Sequence, residues 1–267
     1  MPEPLFVLDN VTFSYPGKIP ALHGITMSVN QGDRVAVIGA NGTGKSTLLS
    51  LLDALIFPDS GTLHAFGKPV SGKSMNDANV QRAFRRRVGY VFQNPDVQLF
   101  CPSVREDIIF GPLQLGVAKT EIRNRLDAVV ARMRIESLLD RSPHQLSIGE
   151  KKKVAIASVL AIEPEVLLLD EPTAGLDPQT TRDIVAVLYE YHQAGKTVVM
   201  ASHDLHVVEE IADVVHVFGK DRALVRSGTP EGILADQEFL RENNLVHIHV
   251  HRHGHTAHAH PHPHSQV

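Results

Sequence analysis

The run Gly39-Ala40-Asn41-Gly42-Thr43-Gly44-Lys45-Ser46-Thr47 combines glycines, a lysine and a hydroxyl pair in the spacing of a phosphate-binding loop. The chemistry it suits is capture of a nucleoside triphosphate. Glycines let the backbone curl until successive N–H groups face inward, Lys45 offers a point charge to the β- and γ-phosphates, and Ser46 offers an oxygen to magnesium. Further reactive groups follow. Gln93 leaves an apolar run and either ligates magnesium or bonds its own loop. Asp170 and Glu171 close the run Val166-Leu167-Leu168-Leu169, and His203 follows Thr197-Val198-Val199-Met200-Ala201-Ser202. Tyr15 ends an aromatic-rich strand, where its ring either stacks on a purine or packs at the strand edge.

These groups need elements that aim them at one point. Arg34 to Ile38 is β-branched and apolar like a buried strand, and Leu48, Leu51, Leu52 and Leu55 recur at helical spacing. The glycine loop therefore joins a strand to a helix whose positive dipole end faces the phosphates. The runs before Asp170 and His203 suit strands covered on both faces. Ile184, Leu188 and Tyr191 form the stripe of a crossover helix between them, so the central sheet is expected to be mostly parallel, with its ligand at the carboxyl ends of the strands.

Leu5 to Leu8 and Val11 to Tyr15 read as two strands broken at Asp9-Asn10, and Thr62 to Phe66 as another. Residues 71 to 81 read as an exposed loop, and Arg82, Arg85, Arg86 and Arg87 as a solvated helix face. From about Ser103 to Leu139 the pattern turns helical, with Ile122, Leu126, Val129, Val130 and Met133 on one stripe. Ser147-Ile148-Gly149-Glu150 opens a further helix, Ser147 capping it with Glu150 at capping-box distance. The fold class expected is α/β, with a mostly parallel core sheet, a small antiparallel β subdomain and an inserted helical subdomain at about 95–162. Residues 1–244 form the main domain and 245–267 a histidine-rich tail.

At 267 residues the chain is long enough to bury a sizeable core. Its single cysteine, Cys101, allows no intrachain disulfide and suits a reducing compartment. A formal net charge of −4 argues against broad capture of nucleic acid. There is no apolar run of membrane-spanning length and no targeting pattern at the amino terminus, so membrane association is expected through a partner.

With the glycine loop, Gln93, Ser147 to Glu150, Asp170-Glu171, Ala174-Gly175-Leu176-Asp177 and His203 in that order, the chain resembles the nucleotide-binding subunits of ATP-binding-cassette transporters from about residue 5 to 240. The stretches Gln93-Asn94-Pro95-Asp96-Val97-Gln98-Leu99-Phe100 and Phe110-Gly111-Pro112-Leu113-Gln114-Leu115-Gly116 resemble the ATPases of energy-coupling-factor importers, particularly the cobalt and nickel branch.

The resemblance implies a P-loop NTPase fold, ATP and Mg²⁺ as cofactors, and ATP held between two subunits, with two identical chains favoured. Its phosphates would lie on residues 39–47 of one subunit, and on Ser147, Gly149 and Glu150 of the other. Tyr15 and Asp177 would belong to the same nucleotide site. Ser46, Gln93 and Asp170 would face magnesium, Glu171 would handle the attacking water, and His203 would meet the γ-phosphate. The implied partners are a transmembrane coupling protein and a membrane substrate-binding component, at the cytoplasmic face of the cell membrane. Among rival readings, an ATPase of the same type serving a vitamin keeps every motif. A soluble cassette ATPase would bring a coiled-coil insert or a second cassette, and a metal-storage protein would have lost Lys45 or Glu171.

One position departs from the family pattern. The signature Leu-Ser-Gly-Gly-Gln reads Leu146-Ser147-Ile148-Gly149-Glu150 here, and a β-branched residue resists positive φ, so Ile148 is expected to have ordinary dihedrals and only Gly149 to approach a phosphate closely. The tail carries histidines at 247, 249, 251, 253, 255, 258, 260, 262 and 264. Its composition reads as low-complexity chain that does not pack, and its imidazoles suit a transition metal.

Overall fold

The computed structural model describes residues 4–253 and 256–263, with side chains as far as residue 246. β1 (Pro4–Tyr15) and β2 (Ile19–Asn30) make a long antiparallel pair, and β3 (Arg34–Gly39) leads through the glycine loop into α1 (Lys45–Leu52). β4 (Ser60–Ala65) and β5 (Lys68–Pro69) complete an antiparallel sheet in the order β2-β1-β4-β5. α2 (Gly72–Met75) and α3 (Ala78–Arg87) precede β6 (Val88–Val91). α4 (Val104–Gln114), α5 (Lys119–Met133) and α6 (Ile148–Leu160) then form a helical layer before β7 (Val166–Asp170), α7 (Pro178–Gln193) and β8 (Thr197–Ala201). α8 (Leu205–Ile211), β9 (Val214–Phe218), β10 (Leu224–Gly228), α9 (Pro230–Leu234) and α10 (Gln237–Glu242) end the main body.

The central sheet runs β10-β9-β3-β8-β7-β6. All its pairs are parallel except β10 with β9. This is the P-loop α/β architecture expected, with a separate antiparallel sheet. Because side chains alternate across a strand, β3 feeds two cores. Val35 and Val37 pack with Leu168, Val199, α1 and the antiparallel sheet, while Ala36 and Ile38 pack with Leu167, Leu169, Met200 and the helices of the opposite layer.

Several expectations change. The two amino-terminal strands are one, with the register broken between Leu8 and Val11 at Asn10, whose φ is 49°. β2 has no counterpart among the expected strands, although Ile25, Met27 and Val29 alternate with Thr26 and Ser28 in a strand's two-residue period. α1 stops at Leu52 because Ala54 turns left-handed at φ 52°, so Leu55 lies outside the helix and 45% exposed. Residues 71–81 are at the surface as expected but are not a loop: Ser71 caps α2 with a capping box, and the Asp77 carboxylate accepts from the N–H groups of Asn79 and Val80 to start α3.

The arginine cluster is a solvated face only in part: Arg82 and Arg86 are exposed, Arg85 and Arg87 are half-buried, and three of the four have partners. Arg85 pairs with Asp53 at 2.8 Å, and Arg86 donates to the Leu115 carbonyl at 2.6 Å. Arg87 pairs with Glu165 at 2.7 Å while lying 3.5 Å over the Phe66 ring. Burial pushes Asp53 up to about 7, with Arg85 opposing the shift.

In the tail, where composition suggested no packing, the backbone forms an antiparallel pair, β11 (Val246–His253) and β12 (Thr256–Pro263). The alternation of histidine with Ile248, Val250, Ala257 and Ala259 is the two-residue period that a strand requires. His255 and His264 lie outside the described residues.

Candidate functional site

β3 ends at Gly39, and the loop that follows curls over the start of α1. The Thr43 hydroxyl donates to the Ala40 carbonyl at 2.8 Å, closing the loop on itself. Gly44 sits at φ 107°, ψ 7° as the first cap of α1, a conformation that side-chain-bearing residues rarely adopt. No side chain caps that end and no acid occupies the first turn, so the helix presents bare N–H groups and positive dipole to whatever lies in the loop. Lys45 is 7% exposed and donates from Nζ to the Gly39 and Ala40 carbonyls at 2.7 and 3.2 Å. Burial lowers its affinity for the proton, while Glu171 and Asp170 oppose that shift.

The loop opens into a cleft of about 430 Å³ whose walls include Tyr15, Asn41, Gly42, Gly44, Lys45, Ser46, Thr47, Gln93, Asp170 and Glu171. The parallel sheet is responsible for the gathering. β3, β6 and β7 all end at this edge, which delivers Gly39, Gln93 and Asp170-Glu171 together. Tyr15 is 41% exposed, stands edge-on to Phe13 with ring centroids 5.1 Å apart, and shares a 3.2 Å hydrogen bond with the Thr47 hydroxyl.

Asp170 is buried, and its Oδ1 has no hydrogen-bond partner among the described residues. The Tyr90 hydroxyl reaches its Oδ2 at 3.4 Å. Desolvation raises the Asp170 carboxyl above the ordinary range, the Ser46 hydroxyl working against it. A buried carboxylate oxygen without a partner, with a serine hydroxyl and a glutamine amide lining the same cleft, is an all-oxygen donor set that fits a hard divalent cation.

Glu171 is also buried and has φ 46°, a strained value for a residue with a side chain, held by its N–H donating to Ala201 at 2.9 Å. Its carboxylate meets His203 Nδ1 at 2.7 Å and holds the imidazole above its ordinary pKa, with burial pulling the other way. His203 itself borders a smaller cavity beside Gly39, Ala40 and Asn41.

Ser147, Gly149, Glu150 and Asp177 are not in the phosphate cleft. They line a second cleft of about 500 Å³ with Ile148, Gly175 and Thr180. Ser147 caps α6, and Glu150 Oε2 accepts from its N–H at 2.8 Å, a bond that holds the Glu150 carboxyl below the usual range. Asp177 caps α7 and takes the Thr180 hydroxyl at 2.6 Å, which lowers its carboxyl likewise. Ile148 is the first residue of α6 and is not among the positive-φ residues, as its β-branching required. Gly149 is not left-handed either, and a Cβ there would meet only Thr180, at 3.5 Å, an ordinary contact. The chain itself therefore gives no reason for a glycine at 149.

Sequence reasoning missed Ile19, Pro20, Ala21 and Arg222, which line the phosphate cleft. The first three belong to the unanticipated β2. It also missed Lys152. That side chain is 1% exposed and donates to the carbonyls of Phe92 at 3.3 Å and Gln93 at 2.7 Å. Burial pulls its pKa down to about 8, Asp170 and Glu171 holding it up in part. A signal existed: a cation on the same helical stripe as the buried Ala155, Ile156 and Val159. Lys151 with Asp96 at 2.7 Å, and Gln98 Nε2 with the Ala155 carbonyl at 2.7 Å, fasten the same loop to α6.

Replacing Lys152 by Met removes the donor from two part-buried carbonyls, at a cost toward the low end of the roughly 1–3 kcal/mol of a fully buried unpaired group. For the ATP hydrolysis that the resemblance implies, the expected outcome is a kcat lowered by about ten-fold or more through a displaced Gln93, with a smaller change in KM. Steady-state kinetics that match the unsubstituted chain would remove the lysine from any role in positioning the loop.

A model of the ABC transporter family matches residues 22–174. The nickel import ATP-binding protein NikO of Rhodobacter capsulatus is 49% identical over 246 residues, 91% of this chain and 96% of that protein. The energy-coupling factor transporter ATP-binding protein EcfA of Methanothermobacter thermautotrophicus is 43% identical, over 89% of this chain and 75% of that protein. Among solved structures, cbiO1 from Clostridium perfringens, part of the ABC transporter complex cbiONQ, superposes with a TM-score of 0.77 at 38% identity, covering 91% of this chain and 95% of that one. The dimeric cassette MJ0796 bound to ADP and Pi gives 0.76 at 27% identity, covering 84% of this chain and 98% of its own.

Proposed function

The chain belongs to the ATP-binding proteins of the ABC transporter family, and from that premise we propose that its ATP hydrolysis drives import of a divalent transition metal, cobalt or nickel, as the ATPase of an energy-coupling-factor-type importer. The observation that carries the reading is the division of the nucleotide residues between two clefts of one chain. A symmetric dimer brings the phosphate cleft of one copy against the signature cleft of the other, so each ATP is held by both. Gly149 supports this: a glycine that neither its own backbone nor its neighbours require leaves space for a group from outside the chain.

In this dimer the loop N–H groups and Lys45 neutralise the phosphates, Tyr15 takes the base, and Ser147 and Gly149 of the second copy close on the γ-phosphate. Ser46, Gln93 and Asp170 would hold Mg²⁺, which supplies charge neutralisation on the phosphate oxygens. Glu171 orients the attacking water and accepts its proton late, since a carboxylate is too weak a base to remove that proton at the outset, and His203 contacts the γ-phosphate. Loss of the shared γ-phosphate removes the preference for the closed dimer, which is the working stroke.

In this reading the stroke is delivered to a membrane partner; no helix among the described residues is itself long and apolar enough to cross a membrane. Val97, Phe100, Phe110 and Leu113 are exposed at 67, 65, 39 and 48%, with the two rings edge-on at 4.9 Å, on the elements that follow Gln93. That apolar surface suits a helix of a transmembrane coupling protein at the cytoplasmic face, with a separate membrane component supplying the substrate. The names of the nickel and cbiONQ relatives favour a metal over a vitamin.

The test is expression with the membrane proteins encoded beside it. The chain should co-purify with them, and nickel or cobalt uptake should require Lys45. Replacing Phe100 and Phe110 by Asp should abolish co-purification while hydrolysis by the isolated chain stays within about two-fold, as for exposed substitutions generally. Recovery of no membrane protein, or uptake indifferent to Lys45, refutes the reading.

A further inference from the structure

The histidine-rich tail does not leave the molecule at a remote point. After α10 the chain turns at Asn244, with φ 56°, and the Leu245 N–H donates to the Leu240 carbonyl at 2.8 Å. Leu245 and Val246 are 2 and 7% exposed and belong to the larger hydrophobic core, so the root of the tail is fixed. That root faces the nucleotide machinery. Asn244 and Leu245 share a cavity of about 270 Å³ with Gly39, Ala40 and Asn41 of the phosphate loop and with His203. Val246 lines a second cavity with Leu205 and His206, the first residues of the helix that begins two positions after His203. The side chains of Asn244, Leu245 and Val246, just before the histidines, thus line cavities shared with the phosphate loop and with the segment that carries His203.

The backbone beyond the root gives the histidines a common placement. In β11 they occupy every second position, 247, 249, 251 and 253, and so share one face of the strand. The register sets His262 opposite His247, His260 opposite His249 and His258 opposite His251. Directly opposed residues of an antiparallel pair lie on the same face of the sheet. Neutral imidazoles, as a ligand type, favour borderline divalent ions such as Ni²⁺, Co²⁺, Cu²⁺ and Zn²⁺ over Mg²⁺, which prefers oxygen.

We propose that this histidine ladder binds borderline divalent cations and that its loading is coupled, through Asn244 and Leu245, to nucleotide binding at the phosphate loop. The proposal rests on the nucleotide reading of that loop given above. Its sign follows from charge. Neutral imidazoles that take up M²⁺ add positive charge to the segment whose root shares a cavity with a loop that binds a polyanion, so metal loading tightens nucleotide binding. Linkage requires the converse: bound nucleotide tightens the tail's hold on metal by the same factor. A transporter built this way hydrolyses ATP more readily at low nucleotide concentration when its tail is loaded.

The experiment titrates the full chain with NiCl2 and, separately, with Mg²⁺-ADP, each in the presence and absence of the other. Three forms are compared: the unsubstituted chain, a form with His247, His249, His251, His253, His258, His260 and His262 changed to Asn, and a form with a short Gly-Ser linker inserted after Val246. In the unsubstituted chain Ni²⁺ should raise ADP affinity about five-fold or more, the low end of ordinary coupling, and ADP should raise Ni²⁺ affinity equally. The asparagine form should lose both Ni²⁺ binding and the shift. The linker form should keep Ni²⁺ binding and lose the shift, because the ladder is no longer tied to the loop.

Equal Ni²⁺ affinity in the unsubstituted and asparagine forms would overturn the ladder, and tight Ni²⁺ binding with no change in ADP affinity would overturn the coupling. A shift that survives in the asparagine form would locate the ion at the nucleotide's own cation position, and one that survives in the linker form would overturn the route through Leu245. Failure of ADP to bind under any condition would instead refute the nucleotide reading on which the proposal stands.

Discussion

Replacing Glu171 by Gln is expected to lower steady-state ATP hydrolysis by about 10²–10⁴-fold, the usual contribution of a positioned proton acceptor, while ATP binding remains intact. Gln keeps the size of Glu but neither the charge nor the capacity to accept a proton. The residue is buried at a strained φ of 46° and points its carboxylate at His203, an arrangement that no core-packing need explains.

The same substitution makes a second readout available. The Glu171 carboxylate is the main cause of the raised His203 pKa, so in the Gln form the imidazole should titrate at lower pH, which NMR of the ring protons can follow. In the unsubstituted chain the charged pair is complete below the ordinary histidine range and is lost as pH rises through the raised value. With turnover blocked, ATP should also accumulate a stable dimer, visible by light scattering. Undiminished hydrolysis would remove Glu171 from the chemistry, and a monomer at saturating ATP would remove the shared site.

Replacing Gly44 by Ala is expected to weaken ATP binding by about 100-fold or more, and far more than Gly42 to Ala in the same loop. Both glycines are left-handed, at φ 107° and 79°, so both substitutions meet backbone strain of about 1–3 kcal/mol. They differ in what surrounds them. A Cβ on Gly44 would press on the Ala21 carbonyl and lie 2.8 Å from Leu22 Cδ2, whereas nothing lies within 4 Å of one on Gly42.

Ala21 and Leu22 are in β2, anchored in a sheet, so the loop must yield rather than the strand. Displacing it moves the first N–H groups of α1 and Lys45 together. Binding of a fluorescent ATP analogue to the two variants, with thermal melts to confirm folding, gives the comparison. Equal losses would mean that conformation alone, not the approach of β2, sets the need for glycine at 44.

Much of this protein was legible because its chemistry is carried by short contiguous segments. Arg34 to Ile38, Val166 to Leu169 and Thr197 to Ser202 are apolar runs that only strands covered on both faces accommodate, and each hands its reactive residue to the next loop. β2 is legible only in its second half. Ile25, Met27 and Val29 are buried and alternate with exposed Thr26 and Ser28, whereas Gly24 and the bulged register with β1 break the pattern over the first half, which is the half that lines the cleft. Lys152 was passed over because a lone lysine on a helix ordinarily faces water. The arginines of α3 read as solvated because their partners, Asp53 and Glu165, lie far from them in sequence.

The residue types, their order along the chain and the ends of the parallel strands were therefore fixed by the sequence, since backbone conformation at glycine, β-branched and apolar positions is a local matter. The tertiary structure alone decided which of those residues share a cleft. Ser147 and Asp177 cap their own helices away from Lys45, and the root of the histidine tail comes to share a cavity with the phosphate loop. Such neighbours are chosen by how the helical layer and the carboxyl-terminal helices pack on the sheet, and packing is a balance of buried area over the whole chain that no short stretch of residues contains.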